Sequence, residues 1–372
     1  MIDPSLLEPD TKLYLRPIWF AESPVGLDGR TARMGGGLIW FQGYEITARK
    51  GAILQRDRVT IADFEGWCSY LVEPLARRVA QLAANIGAIR APLALGQRMI
   101  RFDVPQVMGI LNMTPDSFSD GGKHIDDPVA AADSGFAMMT KGAAIIDVGG
   151  ESTRPGADKV WEGDEIARVV PVIERLAASG APISIDTRKA AVMEAALAAG
   201  VGLVNDVSAL LHDPRSMEVV ARAGCPVVLM HAPSVGDNPH DNTVYQDVVT
   251  DVYDWLEERI EACEAAGIAR EKIMIDPGVG FGKMLQGDLA ILNRLAIYQG
   301  LGVALLLGVS RKRVIGALSN EAAAKDRLAG SLALAMRGVQ AGAQMVRVHD
   351  VPETVQMVHV WRGLRDAALV SG

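Results

Sequence analysis

The sequence predicts an α/β protein, a closed (β/α)8 TIM barrel with a small N-terminal α+β extension. Three observations lead there. From residue 107 onward, short apolar runs alternate with helical stretches eight times. Each run is continuous rather than alternating, as strands covered on both faces are in a parallel sheet. Nearly every run closes on a polar residue, and in a barrel the strand C-termini converge on one mouth.

The eight runs are VMGILN (107–112), AIIDVGG (144–150), PISIDT (182–187), LVNDVS (203–208), PVVLMH (226–231), IMIDPG (273–278), ALLLGVS (304–310) and MVRVHD (345–350). Between them lie stretches such as PVAAADSGFAMMTKGA, EIARVVPVIERLAASG, KAAVMEAALAAG and DRLAGSLALAMRGVQAGA. These are rich in Ala, Leu and Met, and most finish on glycine, a common helix stop. An open doubly wound sheet is the alternative, but no G-x-G-x-x-G follows the first run. The polar residues at the strand ends are Asn112, Asp147, Asp186, Asn205, His231, Asp276, Ser310 and His349.

Residues 1–90 lack this rhythm and are expected to form the extension, with the barrel spanning 91–372. LYLRPIWF (13–20) and GGLIWFQGYEI (36–46) predict strands, and EPLARRVAQLAANIG (73–87) predicts a helix. Residues 91–106 predict a short hairpin plugging the bottom of the barrel. The extension's role is open; an oligomer contact and a cover for the barrel bottom are the two considered.

Composition narrows the function. The 372 residues suffice for one large barrel plus an appendage, and 49% hydrophobic content supplies a sizeable core. A net charge of −8 argues against general nucleic-acid binding, which needs basic patches to neutralise phosphates. Three cysteines, none in a C-x-x-C pair, suit neither a disulfide framework nor a zinc site. The opening MIDPSLLEPD has no basic stretch before an apolar run, and the longest apolar stretches fall short of a membrane span. A cytoplasmic location without membrane attachment is the expectation.

Six segments carry chemistry. GILNMTPDSFSDGG (109–122) ends a strand at Asn112, whose amide suits a metal or phosphate oxygen; Asp116 and Phe118 follow on a loop that could act as a lid. A plain Asp-Gly turn would specify far fewer residues. DVGGESTRPGA (147–157) offers hydroxyls and a guanidinium at Ser152, Thr153 and Arg154, with Pro155 stiffening the loop. Asp186 and Asn205 follow apolar strands, and a buried carboxylate needs donors that an amino-bearing heterocycle would supply. A structural Asp bonded to neighbouring backbone is the competing reading there. DPGVGFGK (276–283) places Asp276 at a strand end, then three glycines, with Phe281 suited to pack on an aromatic substrate. GVSRKRVIG (308–316) lines up three cations, which without an anion or carbonyl nearby would be a solvated charge run. RVHD (347–350) puts Arg347 and His349 on one side of a strand as a phosphate clamp.

In this order the segments resemble the dihydropteroate synthase family over about residues 91–372: N-x-T-P-D-S-F-S-D-G-G, G-G-E-S-T-R-P-G, D-P-G-x-G-F-G-K, S-R-K and R-V-H-D are all intact. The resemblance implies condensation of 6-hydroxymethyl-7,8-dihydropterin diphosphate with p-aminobenzoate, assisted by Mg2+, in a cytoplasmic homodimer of folate biosynthesis. It implies that Asp186, Asn205, Met230, Asp276 and Lys312 hold the pterin. Asn112, Thr153, Arg347 and His349 would bind the diphosphate, with Asn112 also a metal ligand. Phe118, Thr153, Pro155, Phe281 and Arg313 would border p-aminobenzoate. Asp116, Arg154, Lys312, Arg347 and His349 would carry catalysis, Asp116 by stabilising a pterin cation after diphosphate departs. A pterin-dependent methyltransferase-like barrel and a non-catalytic pterin-binding relative are the alternatives.

Two departures stand out. Family members often read M-H-M-Q-G where this chain reads Met230-His231-Ala232-Pro233-Ser234, and many have serine where Arg313 stands. Arg313, or its backbone N–H, is expected to take over the contact with the p-aminobenzoate carboxylate.

Overall fold

The computed structural model describes residues 2–114, 127–154, 156–234, 236, 238–241 and 243–370. The extension is an antiparallel sheet of β1 (Lys12–Ala21), β2 (Ala32–Arg33), β3 (Trp40–Lys50) and β4 (Ile53–Thr60), followed by α1 (Ile61–Cys68) and α2 (Glu73–Gly87). β3 is central, pairing β1 on one edge and β2 and β4 on the other. Pro17, which has no N–H to donate, lies on the edge strand β1. Gly51, at φ +57°, opens the tight turn between β3 and β4. The sequence reading found β1, β3 and α2 but not β4, because ILQRDRVT is mostly charged or polar and lies largely exposed.

α2 buries Leu75, Val79, Leu82 and Ile86, one per turn, and this stripe decides where the extension packs. The hairpin strands β5 (Leu93–Leu95) and β6 (Arg98–Ile100) come next. The barrel strands are β7 (Gln106–Asn112), β8 (Ile145–Gly149), β9 (Ile183–Asp186), β10 (Leu203–Asp206), β11 (Val227–Met230), β12 (Ile273–Asp276), β13 (Ala304–Gly308) and β14 (Met345–Val348). They pair in parallel in chain order, and β14 returns to β7 to close the barrel. Outside it run α3 (Pro128–Thr140), α4 (Glu162–Ala178), α5 (Ala190–Ala198), α6 (Ser216–Ala223), α7 (Val248–Ala265), α8 (Met284–Arg294), α9 (Arg313–Leu318), α10 (Leu328–Gln340) and α11 (Val351–Val370). All eight sequence-predicted runs coincide with barrel strands.

The floor of the barrel is apolar. Leu93, Leu95, Ile100 and Phe102 of the hairpin segment pack against Met108, Ile145, Leu203, Val228, Met274, Leu306 and Met345 from the strands. The hairpin therefore plugs the bottom, as its sequence suggested. The extension packs on α7 and on the 3-10 turn Leu295–Leu301, and its Met34 reaches Gly342 in the turn before β14. Its apolar side chains join one core with the outer face of the barrel. Tyr14 meets Tyr253 edge-on at 5.2 Å between ring centroids, and its hydroxyl donates to Asp254 at 2.8 Å. Charged contacts surround this seam. Arg294 reaches the buried Glu45 at 2.6 Å, Arg49 reaches Asp251 at 2.6 Å, Arg56 reaches Asp247 at 2.6 Å and Arg78 reaches Glu257 at 2.7 Å. Cys225 and Cys263 are buried thiols and Cys68 is half-buried; all three are free.

The shared core makes the extension part of the folding unit. Tyr14→Ala is expected to destabilise the whole chain by about 3–5 kcal/mol, the usual loss for deleting a buried aromatic ring. A urea titration followed by far-UV circular dichroism would check it; a shift confined to a separate early transition would show that the extension unfolds alone.

Candidate active site

Strand register assembles the site. In a parallel sheet paired residues share a face, and Asn112, Gly149, Asp186 and Asn205 are successive cross-strand partners on β7, β8, β9 and β10. Met230 and Asp276 are partners across β11 and β12, and Gly308 and Arg347 across β13 and β14. Two residues below Asn205, Asp276 and Arg347 on their strands lie the apolar floor residues Leu203, Met274 and Met345, while the buried Ser184 lies below Asp186. Period-two alternation thus stacks a polar layer on an apolar one. Gly308 leaves room for a carboxylate: a Cβ there would lie 3.4 Å from Asp276 Oδ2.

Arg347 holds the centre of this layer. Its Nε donates to Asp147 Oδ2 at 2.5 Å and its Nη2 to Asp186 Oδ2 at 2.6 Å. Asn205 Nδ2 adds a bond to the same Asp147 oxygen at 3.0 Å, while Asp147 Oδ1 is buried without a hydrogen-bond partner in the protein. Burial pushes the Asp186 carboxyl upward, Arg347 pulls it back and the nearby Asp147 adds to the rise. Asp276 is likewise pushed up by burial and opposed by Lys312, and its Oδ1 accepts from Gly278 N–H at 2.7 Å.

The clamp residues behave differently from one another. Ser310 Oγ accepts from the His349 backbone N–H at 3.2 Å and lies 3.0 Å from His349 Nδ1, to which its hydroxyl can donate. That assignment leaves Nε2 carrying the ring proton. Burial, then the charge of Arg347, lowers His349 to about 3, and Arg154 contributes in the same direction. Arg154 itself is exposed and Thr153 half-buried on the loop after β8. Of the three consecutive cations only Lys312 faces the site: it donates to the Val279 carbonyl and sits 4.6 Å from the centre of the Phe281 ring. Arg311 instead pairs with Asp350, and Arg313 is exposed at the start of α9. The charge run is thus explained for Arg311 by a protein carboxylate rather than by a ligand. Asp116, Phe118 and Pro155 lie outside the described residues.

His231 corrects the pattern of eight strand ends. Its ring is buried against Trp255 (4.8 Å) and Tyr245 (6.0 Å) on the outer side, so Met230, not His231, points into the mouth. Met230 forms an apolar wall with Val207, Ala232 and Phe281.

Sequence reasoning missed Lys283. The lysine is buried, and its Nζ donates to the carbonyls of Gly278 (2.8 Å), His231 (3.1 Å) and Phe281 (3.2 Å). Three donors meet three acceptors, the full capacity of an ammonium. Burial, then Lys312, pushes it down to about 7, with Asp288 and Asp276 opposing. The glycines of this loop are needed for close approach. A Cβ on Gly278, at φ +67°, would fall 1.9 Å from the His231 carbonyl oxygen, and one on Gly282, at φ +58°, 2.4 Å from Pro233. The loop after β12 is therefore clasped to the loop after β11.

Residues 108–349 match the pterin binding enzyme family. The dihydropteroate synthase of Neisseria meningitidis serogroup B is 46% identical over 274 residues, 72% of this chain and 96% of the relative. The chain belongs to the dihydropteroate synthase family. The Escherichia coli dihydropteroate synthase is 45% identical over 257 residues, 69% of this chain and 90% of that enzyme. A Xanthomonas albilineans dihydropteroate synthase solved with 4-aminobenzoic acid superposes with a TM-score of 0.69 at 46% identity, covering 74% of this chain and 98% of that one. The same enzyme with 7,8-dihydropteroate gives 0.66 at 44% identity, with the same coverage. These family members are spanned almost whole, and the share of this chain left over is about the size of the extension.

Two outcomes test this geometry. Lys283→Met would take the lysine donor from three carbonyl oxygens, of which Gly278 keeps the Phe281 N–H, at about 1–3 kcal/mol for each buried group that stays unsatisfied. A destabilisation of roughly 3 kcal/mol or more is expected by urea unfolding, and stability close to wild type would refute the anchoring role. For His349, the unfolded chain takes up a proton near pH 6.5 that the folded chain takes up only near 3. Its contribution to stability is therefore lost as pH falls through that window. Above it the imidazole stays neutral, so the pH profile of kcat/KM should carry no inflection near 6.5 that His349→Gln removes.

Proposed function

We propose that this dihydropteroate synthase family member joins the methylene carbon of 6-hydroxymethyl-7,8-dihydropterin diphosphate to the amine of p-aminobenzoate, releasing diphosphate and 7,8-dihydropteroate. The observation that carries the reading is the polar layer itself. Three carboxylates, an amide and two cations converge above an apolar floor, in a barrel that spans family members nearly end to end.

In this reading Asp186 and Asp276 accept from the amino and ring N–H groups of the pterin, and Asn205 and Lys312 complete its polar edge. Met230 lines the ring's flank. Asp186 already has one oxygen on Arg347, so pterin binding and the arginine's position are linked. Arg347, the Nε2–H of His349, Thr153 and Asn112 take the diphosphate, with the charge of Arg154 close by. Phe281, Thr153 and Arg313 border p-aminobenzoate, together with Phe118 and Pro155. Asp116 belongs with the catalytic set.

The methylene C–O bond breaks with its electron pair going to the diphosphate. The amine lone pair then forms the C–N bond, and the amine gives up one proton. An aromatic amine is neutral near pH 7, so no strong base is needed. What the protein supplies is positive charge where the leaving group develops negative charge, and exclusion of water.

Mg2+ fits this donor set. Among the described residues no cluster of three or more His, Cys, Asp or Glu side chains could hold a metal. Mg2+ commonly keeps several waters and takes its remaining oxygens from one or two protein groups and substrate phosphates. Asn112 would provide the protein oxygen; the ion, when bound, neutralises phosphate charge. The reading extends to a homodimer and a cytoplasmic location, both drawn from the family resemblance. Among the described residues no helix is long and apolar enough to cross a membrane.

The test is to incubate the chain with the pterin diphosphate, p-aminobenzoate and Mg2+ and to assay dihydropteroate by chromatography. Product requiring all three additions is expected. Arg347→Ala should lower kcat/KM by at least about a hundredfold, since it removes a buried charge that leaves two carboxylates unpaired. Absence of product from the wild-type chain would refute the reading.

A further inference from the structure

The loop after β11, where the chain departs from the family's usual wording, crosses the mouth before reaching α7. Its His240 ring lies parallel to Phe281, with centroids 4.7 Å apart and planes 7° apart. Its Nε2 is 2.7 Å from the Thr153 carbonyl oxygen on the loop after β8. A carbonyl can only accept, so Nε2 carries the ring proton. One side chain therefore touches two of the residues placed around p-aminobenzoate, from two different loops.

The surroundings favour a neutral ring. Burial lowers His240, and the nearby cations Lys312 and Lys283 push the same way, while its backbone contacts to Thr153 and Gly280 oppose them. A neutral imidazole can stack flat on an aromatic face and still donate one hydrogen bond. Phe281 has little freedom left: His240 stacks on it, Lys312 lies over the ring at 4.6 Å, and only 8% of the residue is exposed. A second tie reinforces the first. Arg188 Nη1 donates to the Gly236 carbonyl of the same loop at 3.0 Å, and its Nε donates to Glu151, two residues before Thr153, at 3.3 Å.

We propose that His240 is a positioning residue for the aromatic amine substrate, fixing the Phe281 ring and the Thr153 backbone relative to each other so that p-aminobenzoate meets a preformed wall. The proposal rests on the functional reading above, in which Phe281 and Thr153 border that substrate. Orientation of a reactant is worth rate because it is settled before the reaction begins. Of the residues placed around the pterin, Asp186, Asn205, Met230 and Asp276 stand on barrel strands, and Lys312 shares the Phe281 ring with His240.

Three variants of the full-length chain separate the two contacts. His240→Phe keeps a stacking ring and loses the donor; His240→Gln keeps an N–H donor and loses the ring; His240→Ala loses both. Steady-state kinetics with each substrate varied in turn, and thermal unfolding, are the readouts. His240→Ala should raise KM for p-aminobenzoate about tenfold, the size expected for one hydrogen bond plus one ring stack. KM for the pterin diphosphate should stay within about twofold, and the Phe and Gln variants should each recover part of the loss. An unchanged KM for p-aminobenzoate in His240→Ala overturns the proposal. So does an equal rise in both KM values with a lowered Tm and no rescue, which would mark His240 as a loop-folding residue only. Phe281→Ala separates the two levels. If it raises KM for p-aminobenzoate while His240→Ala does not, the functional reading stands and His240 is excluded. A wild-type chain that makes no product removes both.

Discussion

Arg347 brings a guanidinium to the middle of the barrel, bonded to Asp147 at 2.5 Å and Asp186 at 2.6 Å, above an apolar floor. Buried charges are tolerated only when paired, and removing one partner exposes the rest to the full cost of desolvation. That constraint shapes the neighbouring residues. Asn205 has its amide turned to Asp147, His349 stays neutral beside the cation, and Gly308 leaves Asp276 space. The same set is ready to exchange partners with a substrate that brings both donors and negative charge. On the reading proposed above, a pterin would present N–H groups to the carboxylates, and a diphosphate oxygens to the arginine.

Much of this was legible in the sequence. Eight apolar runs predicted eight strands, whose ends placed Asp186, Asn205 and Asp276 at the mouth, and alternation paired Arg347 with His349 on the last. His231 was misplaced because it follows Met230 directly, so alternation turns it outward, onto Trp255. The triple cation could not be resolved by spacing, since the partner of Arg311 is Asp350, thirty-nine residues away. Lys283 looked like the end of a glycine motif; only the closeness of three carbonyls from two loops explains a buried ammonium there. His240 gave no signal at all, because its loop has no periodicity and both its partners are distant in the chain. In the extension, β4 was missed because charged strands at a sheet edge look like loops.

The loops around the mouth are held by different means from the strands beneath them. Strand positions are set by backbone register, which a single substitution seldom moves. The loop after β12 depends on glycine backbones pressed against the loop after β11, and on Lys283 between them. The loop after β11 depends in turn on Thr153, Gly236 and Arg188. Thr153 and Phe281 thus stand on loops that brace one another, and Asp186, Asn205, Met230 and Asp276 on the sheet.

The seam between extension and barrel also constrains the order of events during synthesis. Lys12 bonds to Asp254, 242 positions later, Arg49 to Thr250, 201 later, and Arg56 to Asp247, 191 later. Such contacts require large chain loops to close, which makes them late and slow to form. Residues 1–90 leave the ribosome before α7 and the turn at 295–301, against which α2 and Tyr14 pack. Throughout that interval the nascent chain carries apolar surface that lacks those partners. Its yield in the cell is therefore tied to translation speed and to chaperones that shield such surfaces.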